Sequence, residues 1–199
     1  MAHELNNALN GASMNLEVVR LRAVAGKDAG AVAPFAAAAL AEQEAVAGMT
    51  AALLALGRPP APGRAADVRA VLGHVVALVA PVVRHHGVTL AVEAPNSAPT
   101  AAPALAVRLA AAWAVERAAG LAAPQNTVAF GNPAGDRSGR LRCILSAAGE
   151  PTLVVDPPPV DGRAGGAGVA DDAVPALLAA HGIRAAPEGV GFRLTFPAA

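Results

Sequence analysis

The sequence predicts an α+β fold in which an antiparallel helical hairpin precedes an α/β sandwich. Two observations predict it. Apolar residues recur at heptad spacing over residues 5–56, and from residue 68 onward helix-like and strand-like segments follow one another. A proline-rich run at residues 58–63 cannot continue a helix and marks the boundary between them. We therefore expect two domains, residues 1–60 and residues 64–199.

The first helix is predicted from a single apolar seam. Its members are spaced four, three, four, three and four residues apart, which keeps them on one face of a helix. A glycine-containing turn at residues 26–30 follows the helix. The seam residues are Leu5, Leu9, Ala12, Leu16, Val19 and Ala23.

A second helix repeats the pattern, with Glu42 as the polar interruption of its seam. Two such helices joined by a short turn form an antiparallel hairpin. Because a lone hairpin of about 60 residues cannot bury both seams, we expect two copies to form a four-helix bundle, although the hairpin packing against its own chain is the alternative. The seam residues of the second helix are Phe35, Ala39, Val46, Met49, Leu53 and Leu56.

The second domain begins with a helix over residues 68–82, with Pro81 as a kink and Gly87 as the stop. The next segment, Val88–Glu93, alternates as a strand does. The predicted elements after it are a helix at 102–119, a hairpin of strands 127–131 and 141–146, a strand at 152–156, a helix at 171–181 and a closing strand at 191–196.

Composition excludes several classes of function. Fifteen basic residues balance fifteen acidic ones and there is no Tyr, so neither phosphate backbones nor stacked bases have an obvious partner, and we expect no nucleic acid. Cys143 is the only cysteine, which rules out an intrachain disulfide and a cysteine-cluster zinc site. The strongly apolar stretch at residues 75–83 is too short to span a membrane, and no secretory signal is evident. We expect a cytoplasmic protein without membrane contact.

His3 stands out among the polar residues of the first helix. It lies two positions before Leu5, about 200° around the helix, so it points away from the apolar seam. Asn7 and Asn10 follow at helical spacing on the same side. We therefore expect His3 on an exposed polar face, where an isolated histidine would be an ordinary solvated residue.

The neighbours of His3 change that interpretation. Residues 3–10, His-Glu-Leu-Asn-Asn-Ala-Leu-Asn, resemble the phosphoacceptor box of sensor histidine kinases, in which His-Glu-Leu-x-Asn-Pro-Leu opens the first helix of a dimeric hairpin. Ala8 replaces the proline of that pattern. The resemblance implies that His3 accepts the phosphoryl group, that Glu4 orients or deprotonates the imidazole, and that Asn7 orients water for dephosphorylation of the partner.

The resemblance continues through the second domain. Residues 67–93 look like the helix and strand that open the kinase ATP-binding domain. Residues 166–170, with Gly166 and Gly168, the helix after them, and residues 189–194 are similar to its last glycine box, helix and strand. The second domain is therefore expected to be a degenerate ATPase-like domain of the GHKL type.

The nucleotide-binding residues of that family are not kept. Ala112 and Glu116 stand where two asparagines would hold magnesium and phosphate. Asp156 survives from the adenine motif, but prolines at 157–159 follow it, and the lid shrinks to about residues 161–165. Asp156, Gly166 and Gly168 are thus remnant positions, and we expect this chain to bind neither ATP nor a metal, with Mg²⁺ supplied by the partner receiver domain.

The sequence thus predicts a homodimeric histidine phosphotransfer protein that exchanges a phosphoryl group with response-regulator receiver domains without using ATP. Two alternatives stay open: an active histidine kinase or phosphatase with an atypical nucleotide site, and a noncatalytic dimeric scaffold, or pseudokinase. The other histidines are interpreted as structural or surface residues. They are His74, His85, His86 and His181.

Overall fold

A computed structural model describes residues 2–59, 65–85, 88–119, 139–157, 173–189 and 191–199. The chain divides into two compact units, Met1–Ala55 and Leu56–Ala199. The first unit is helical, and the second combines helices with two β-sheets. The protein is therefore a mixed helix and sheet structure. The domain bounds 1–60 and 64–199 remain predictions.

Two long helices make up the first unit. Helix α1 spans Ala2–Val24 and helix α2 begins at Ala29 and ends at Gly57. The turn between them contains Gly26, whose φ of 67° is in the left-handed region. Asp28 caps α2, because its Oδ1 accepts a hydrogen bond of 2.8 Å from the backbone N–H of Ala31.

The two helices contact each other at two levels. Near the turn, the Arg22 guanidinium lies 4.3 Å from the centroid of the Phe35 ring and donates a 2.7 Å hydrogen bond to the carbonyl of Ala31. Farther from the turn, the Glu42 side chain lies against Gly11, with its Cγ 3.6 Å from the position of an added Cβ. Residues late in α1 thus contact residues early in α2.

The seams are only partly covered within one chain. Met49 and Ala39 of α2 are buried, and Val46 is half-buried. Leu9 and Leu16 of α1, in contrast, keep 50% and 57% of their surface exposed. An apolar row on α1 is therefore left open to solvent in the single chain.

By length and composition alone, α2 could cross a membrane. The apolar stretch at residues 75–83, which was considered as a possible span in the sequence analysis, is shorter than α2. Apolar helices in the core of soluble proteins pass the same test, and α2 carries Glu42 and Glu44 near its middle.

Three helices and seven strands form the described part of the second unit. A two-stranded sheet pairs β1 with β3, and a five-stranded sheet has the order β2-β4-β5-β7-β6. The helices are α3 (Val68–His85), α4 (Ala104–Ala118) and α5 (Ala173–Ala179). The strands are β1 (Ala66–Asp67), β2 (Val88–Glu93), β3 (Pro99–Thr100), β4 (Gly139–Ser146), β5 (Thr152–Asp156), β6 (Arg184–Glu188) and β7 (Gly191–Thr195).

Strand β4 has different neighbours from those the sequence suggested. It runs parallel to β2 and antiparallel to β5, so both of its edges are paired. The strand expected to form a hairpin with it, residues 127–131, lies outside the described residues. The hairpin partner along the chain is β5, which follows a turn in which Gly149 has a φ of 87°.

The core of the second unit lies between one face of the five-stranded sheet and the helices. Leu153 and Val155 of β5 and Leu194 of β7 are fully buried, as period-2 alternation requires. On α4, Trp113 packs against Phe192 of β7 with ring centroids 5.3 Å apart. This face-to-helix packing is the two-layer arrangement expected from the pattern.

Two hydrogen bonds join residues 196 and 197 to other parts of the second unit. Thr100, fully buried in β3, donates a 2.6 Å hydrogen bond to the carbonyl of Pro197. Phe196 is completely buried, and its N–H donates a 2.8 Å hydrogen bond to the carbonyl of Pro151.

Sequence patterns did not predict β1, β3 or the edge strand β6. The helix expected at 171–181 is described from Ala173 to Ala179.

Candidate functional site

The predicted phosphoacceptor residues all lie in the first two turns of α1. His3 and Asn7 are four residues apart, so the helix brings them to one face, one turn from each other. Glu4 follows His3 directly. Asn7 and Asn10 are exposed to solvent. For His3 and Glu4, the structure describes the position of the backbone in α1.

Several residues close to this end of α1 are covered by their surroundings. Ala8 is buried and Leu5 is half-buried, while the amide of Asn15 donates a 3.0 Å hydrogen bond to the carbonyl of Gly11. The Glu42 side chain of α2 contacts Gly11 at the same level. Asn7 is itself exposed to solvent, although Gly11, one helical turn beyond it on the same side, contacts Glu42.

The chemistry available there is nucleophilic. A neutral imidazole is a competent nucleophile near pH 7, and its phosphoramidate remains reactive enough to pass the group onward. An adjacent carboxylate favours the protonated ring that forms when the imidazole takes up a phosphoryl group. Three residue types in one helical turn thus provide a nucleophile, a charge partner and a water-binding amide.

The two positions expected to have lost a metal lie on α4. Ala112 is half-buried and Glu116 is exposed, four residues apart on one side of the helix. Ala112 has no side-chain atom that could ligate magnesium, so this pair offers one carboxylate where two amides would be needed. Helix α4 is continuous through both positions, so the side chains at 112 and 116, and not the backbone, differ from the expected pair of asparagines.

Asp156 is the last residue of β5 and is half-buried. Burial, together with the negative charge of Asp156, raises the pKa of the Cys143 thiol to about 12. Cys143 is thus a buried, inert thiol that packs as a small apolar residue. The other remnant positions, Gly166 and Gly168, and the short lid at 161–165 lie outside the described residues.

The remaining histidines are scattered. His74 is half-buried on α3, His181 is exposed in the turn after α5, and His85 is the last residue of α3. His86 lies outside the described residues. Within the described part of the chain, no group of three or more His, Cys, Asp or Glu residues could hold a metal ion.

One polar cluster was missed from the sequence. The Oδ1 of Asp67 accepts hydrogen bonds from the backbone N–H groups of Arg69, at 2.9 Å, and Ala98, at 3.1 Å. Its Oδ2 accepts a 2.7 Å hydrogen bond from the hydroxyl of Ser97. An aspartate directly before the helix at Val68 was a capping signal. The cluster fixes the start of α3 and is structural.

Comparisons with known proteins find similarity among solved structures. The chain is similar to the cytoplasmic segment of histidine kinase QseC, with 14% identity, a TM-score of 0.44, and coverage of 81% of this chain and 92% of that one. It is also similar to the Acinetobacter baumannii histidine kinase AdeS, with 12% identity, a TM-score of 0.47, and coverage of 98% and 97%. No family model and no curated protein matches the chain.

Proposed function

We propose that this chain is a histidine phosphotransfer protein of a two-component phosphorelay, which moves a phosphoryl group between His3 and an aspartate of a response-regulator receiver domain without using ATP. The observation that carries the proposal is the run of residues 3–9 in the first turns of α1, which puts His3 and Asn7 on one helix face. The fold of two long helices followed by a helix and sheet unit fits this role.

The reaction is an in-line displacement at phosphorus. A neutral ring nitrogen of His3 attacks the aspartyl phosphate of the receiver, and the new N–P bond forms as the O–P bond breaks and the aspartate leaves as a carboxylate. The other ring nitrogen keeps its proton, and Glu4 stabilises the resulting positive charge. The receiver contributes the Mg²⁺ that neutralises the phosphoryl oxygens, and the reverse reaction uses the same groups.

Asn7 has a separate role in the proposal. Its amide can donate to and accept from a water molecule one helical turn from His3. Such a water, held against the aspartyl phosphate of a docked receiver, would hydrolyse it to phosphate and free aspartate. Asn7 therefore governs loss of phosphate from the partner, whereas His3 governs transfer.

The second unit is proposed to extend the docking surface and not to bind nucleotide. Ala112 in place of a ligating side chain supports this, as does the single carboxylate of Glu116. An ATP-dependent kinase would need ligands for magnesium and triphosphate at these positions.

We further propose that the protein is a cytoplasmic homodimer. The half-exposed Leu9 and Leu16 support a second copy that covers the α1 seam and completes a four-helix bundle. A dimer would put two phosphoacceptor faces on the outside of one bundle.

Transfer from a labelled receiver tests the function. Receiver domains phosphorylated with acetyl phosphate should pass the label to the wild-type chain and to a His74→Ala control, and His3→Ala should accept none. Glu4→Ala should slow transfer by roughly 10²-fold, the scale of a lost positioned acid or base group. Label retained by the His3→Ala protein would defeat the assignment.

The two alternatives give different results in parallel experiments. Incorporation of label from ATP into His3 would favour the active kinase over the phosphotransfer protein. Failure of every receiver to transfer to the wild-type chain, with a receiver still binding to it, would favour the scaffold.

A further inference from the structure

The two edge strands of the five-stranded sheet are protected differently. Strand β6 contains Pro187, which has no N–H to donate, and charged residues at both ends, Arg184 and Glu188. Proline and charges on an edge strand discourage pairing with another chain. Strand β2, Val88–Glu93, has no proline, and its single charge is at the last residue. The sequence of β2 therefore leaves its edge open to a further strand.

The backbone of β2 is able to accept such a strand. Within the described part of the chain, β4 is the one strand that pairs with β2. The opposite edge of β2 presents a row of N–H and C=O groups that point away from β4. An extended chain that lies alongside at about 4.8 Å can form hydrogen bonds with these groups.

The core face of β2 has apolar surface left to cover. Leu90 and Val92 of β2 pack against the core but are only half-buried. Leu141 and Cys143, which lie opposite them on β4, are fully buried. Both apolar side chains of β2 thus keep an accessible surface that an added strand would remove from water.

The other face of β2 has opposite charges near its two ends. Thr89 lies in register with Arg140 of β4, and both are exposed. At the far end, Glu93 is exposed and forms a 3.1 Å ion pair with Arg142. A positive charge thus lies behind the start of β2 and a negative charge lies at its end.

We propose that the β2 edge pairs with the same edge of a second copy of this chain, antiparallel about a two-fold axis at Ala91. In this register Thr89 lies opposite the second copy's Glu93, and Leu90 lies opposite its Val92. The second copy's Glu93 is then two strand spacings, about 10 Å, from Arg140, which an extended arginine and a glutamate can bridge. A register shifted by two residues loses this charge pairing.

The charge pattern favours a second copy over another partner. A two-fold axis makes every contact twice, so a strand with opposite charges near its ends is complementary to itself. Because two short strands bury less than the roughly 1,200 Å² of a stable interface, we expect weak association, with a Kd on the order of 0.1–1 mM. The inference goes beyond the proposed function and does not rest on it. Dimers formed through the α1 seam would join through β2 into larger assemblies.

Disulfide formation in the full-length protein tests the register. Residues directly opposite in an antiparallel pair have Cα atoms about 4.5–5.5 Å apart, which a disulfide can join. Ala91→Cys should therefore give a disulfide-linked dimer under mild oxidation of a concentrated solution. Thr89→Cys should not, because its two copies lie about 13 Å apart along the strands. Ala186→Cys on β6 should not either, and the native Cys143 is buried.

Sedimentation tests the association without a cross-link. The mean mass of the wild-type protein should rise between about 10 µM and 1 mM. Ala91→Lys puts two lysines opposite each other at the axis and should abolish the rise. Ala186→Lys is the matched control, because each lysine lies in register with an arginine of the next strand. Glu93→Gln should weaken association about fivefold through two lost charge pairs, and Glu188→Gln should leave it unchanged.

Several results would overturn the pairing. Ala91→Cys might form no disulfide, or no faster than Ala186→Cys, or the mass of the Ala91→Lys protein could rise as in wild type. Hydrogen exchange at the β2 amides should slow as the concentration of wild type increases. Exchange that is equally slow at both concentrations would assign this edge to another segment of the chain. Exchange that is equally fast, without self-association, would leave it to an extended peptide of a different protein.

Discussion

Asp67 shows how one side chain can hold three segments of the second unit together. It caps α3 through the N–H of Arg69, and it also binds Ser97 and the N–H of Ala98 ahead of β3. Burial alone would raise its pKa, but the hydrogen bonds from Ser97 and from the backbone N–H groups outweigh it and lower the pKa of the carboxyl group below 3.8. The ionised form is therefore the one that the fold stabilises.

A pH-dependent loss of stability should follow from Asp67. Because its pKa is lower in the folded than in the unfolded chain, its contribution is complete above the unfolded value of 3.8 and is lost as the pH falls through the folded pKa. Asp67→Ala should cost about 1 kcal/mol at neutral pH. Urea unfolding at neutral pH and at about pH 3 should show this difference shrinking. A difference that is the same at both pH values would contradict the assignment.

Gly191 is required by a close approach between strands. A Cβ at this position would overlap the carbonyl oxygen of Val155, and the pairing of β5 with β7 holds both backbones in place. Gly191→Ala should therefore destabilise the second unit by roughly 2–3 kcal/mol or more. The urea midpoint of the second unit measures this, and an unchanged midpoint for Gly191→Ala would refute the close approach.

Among the helices and strands, those with the most regular apolar periodicity were located most accurately from the sequence. Helix α3, strand β2 and strand β5 lie where apolar periodicity put them, because each has several large apolar residues at regular spacing. Strand β6 was missed, since it is a mostly exposed edge strand that contains Pro187 and has no clear alternation. Strands β1 and β3 have two residues each and depend on side chains such as Asp67 and Thr100.

The placement of the candidate site residues follows from the sequence for a different reason. His3, Glu4 and Asn7 lie within five residues of each other, so a helix alone brings them together. Their role in phosphoryl transfer stays a prediction. Glu42 and Gly11 come together only when α2 lies against α1, and no local pattern gives the level at which two helices touch. Contacts between elements are what the sequence could not provide.

The turn end of the two-helix unit should depend on Arg22. Its guanidinium combines stacking on Phe35 with a hydrogen bond to the carbonyl of Ala31, and both are lost in Arg22→Ala. We expect a loss of about 1–2 kcal/mol in the free energy of unfolding, and Arg22→Lys should recover part of it. A double-mutant cycle with Phe35→Leu measures the coupling.

Arg20→Ala is the matched control for Arg22. Arg20 pairs with Glu17 on an exposed side of α1, where an ion pair contributes little, so no measurable change is expected. Zero coupling between Arg22 and Phe35 in the cycle would show that the stacking does not stabilise the turn.

At the scale of the whole molecule, burial differs between the two units. The second unit has a continuous core of fully buried residues such as Leu72, Leu153 and Phe196. In the first unit, the buried residues within the described range are few, namely Ala8, Ala39, Met49 and Ala52. Large apolar side chains of α1 remain exposed instead, so association is the most direct way for this unit to gain stability.

Sedimentation at micromolar concentration should therefore find a homodimer held together by the α1 seam. Leu16→Glu puts a charge into that seam and should give a monomer, because an unpaired carboxylate is costly to bury. Met14→Glu is the matched control: Met14 is 72% exposed but lies two positions from Leu16, about 200° around the helix, and its substitution should leave the dimer intact. If the wild-type protein sediments as a monomer, or if both glutamate variants dissociate equally, the seam is not the interface. For a dimer, the thermal midpoint of the first unit should also rise with protein concentration, and the Leu16→Glu protein should lose that dependence.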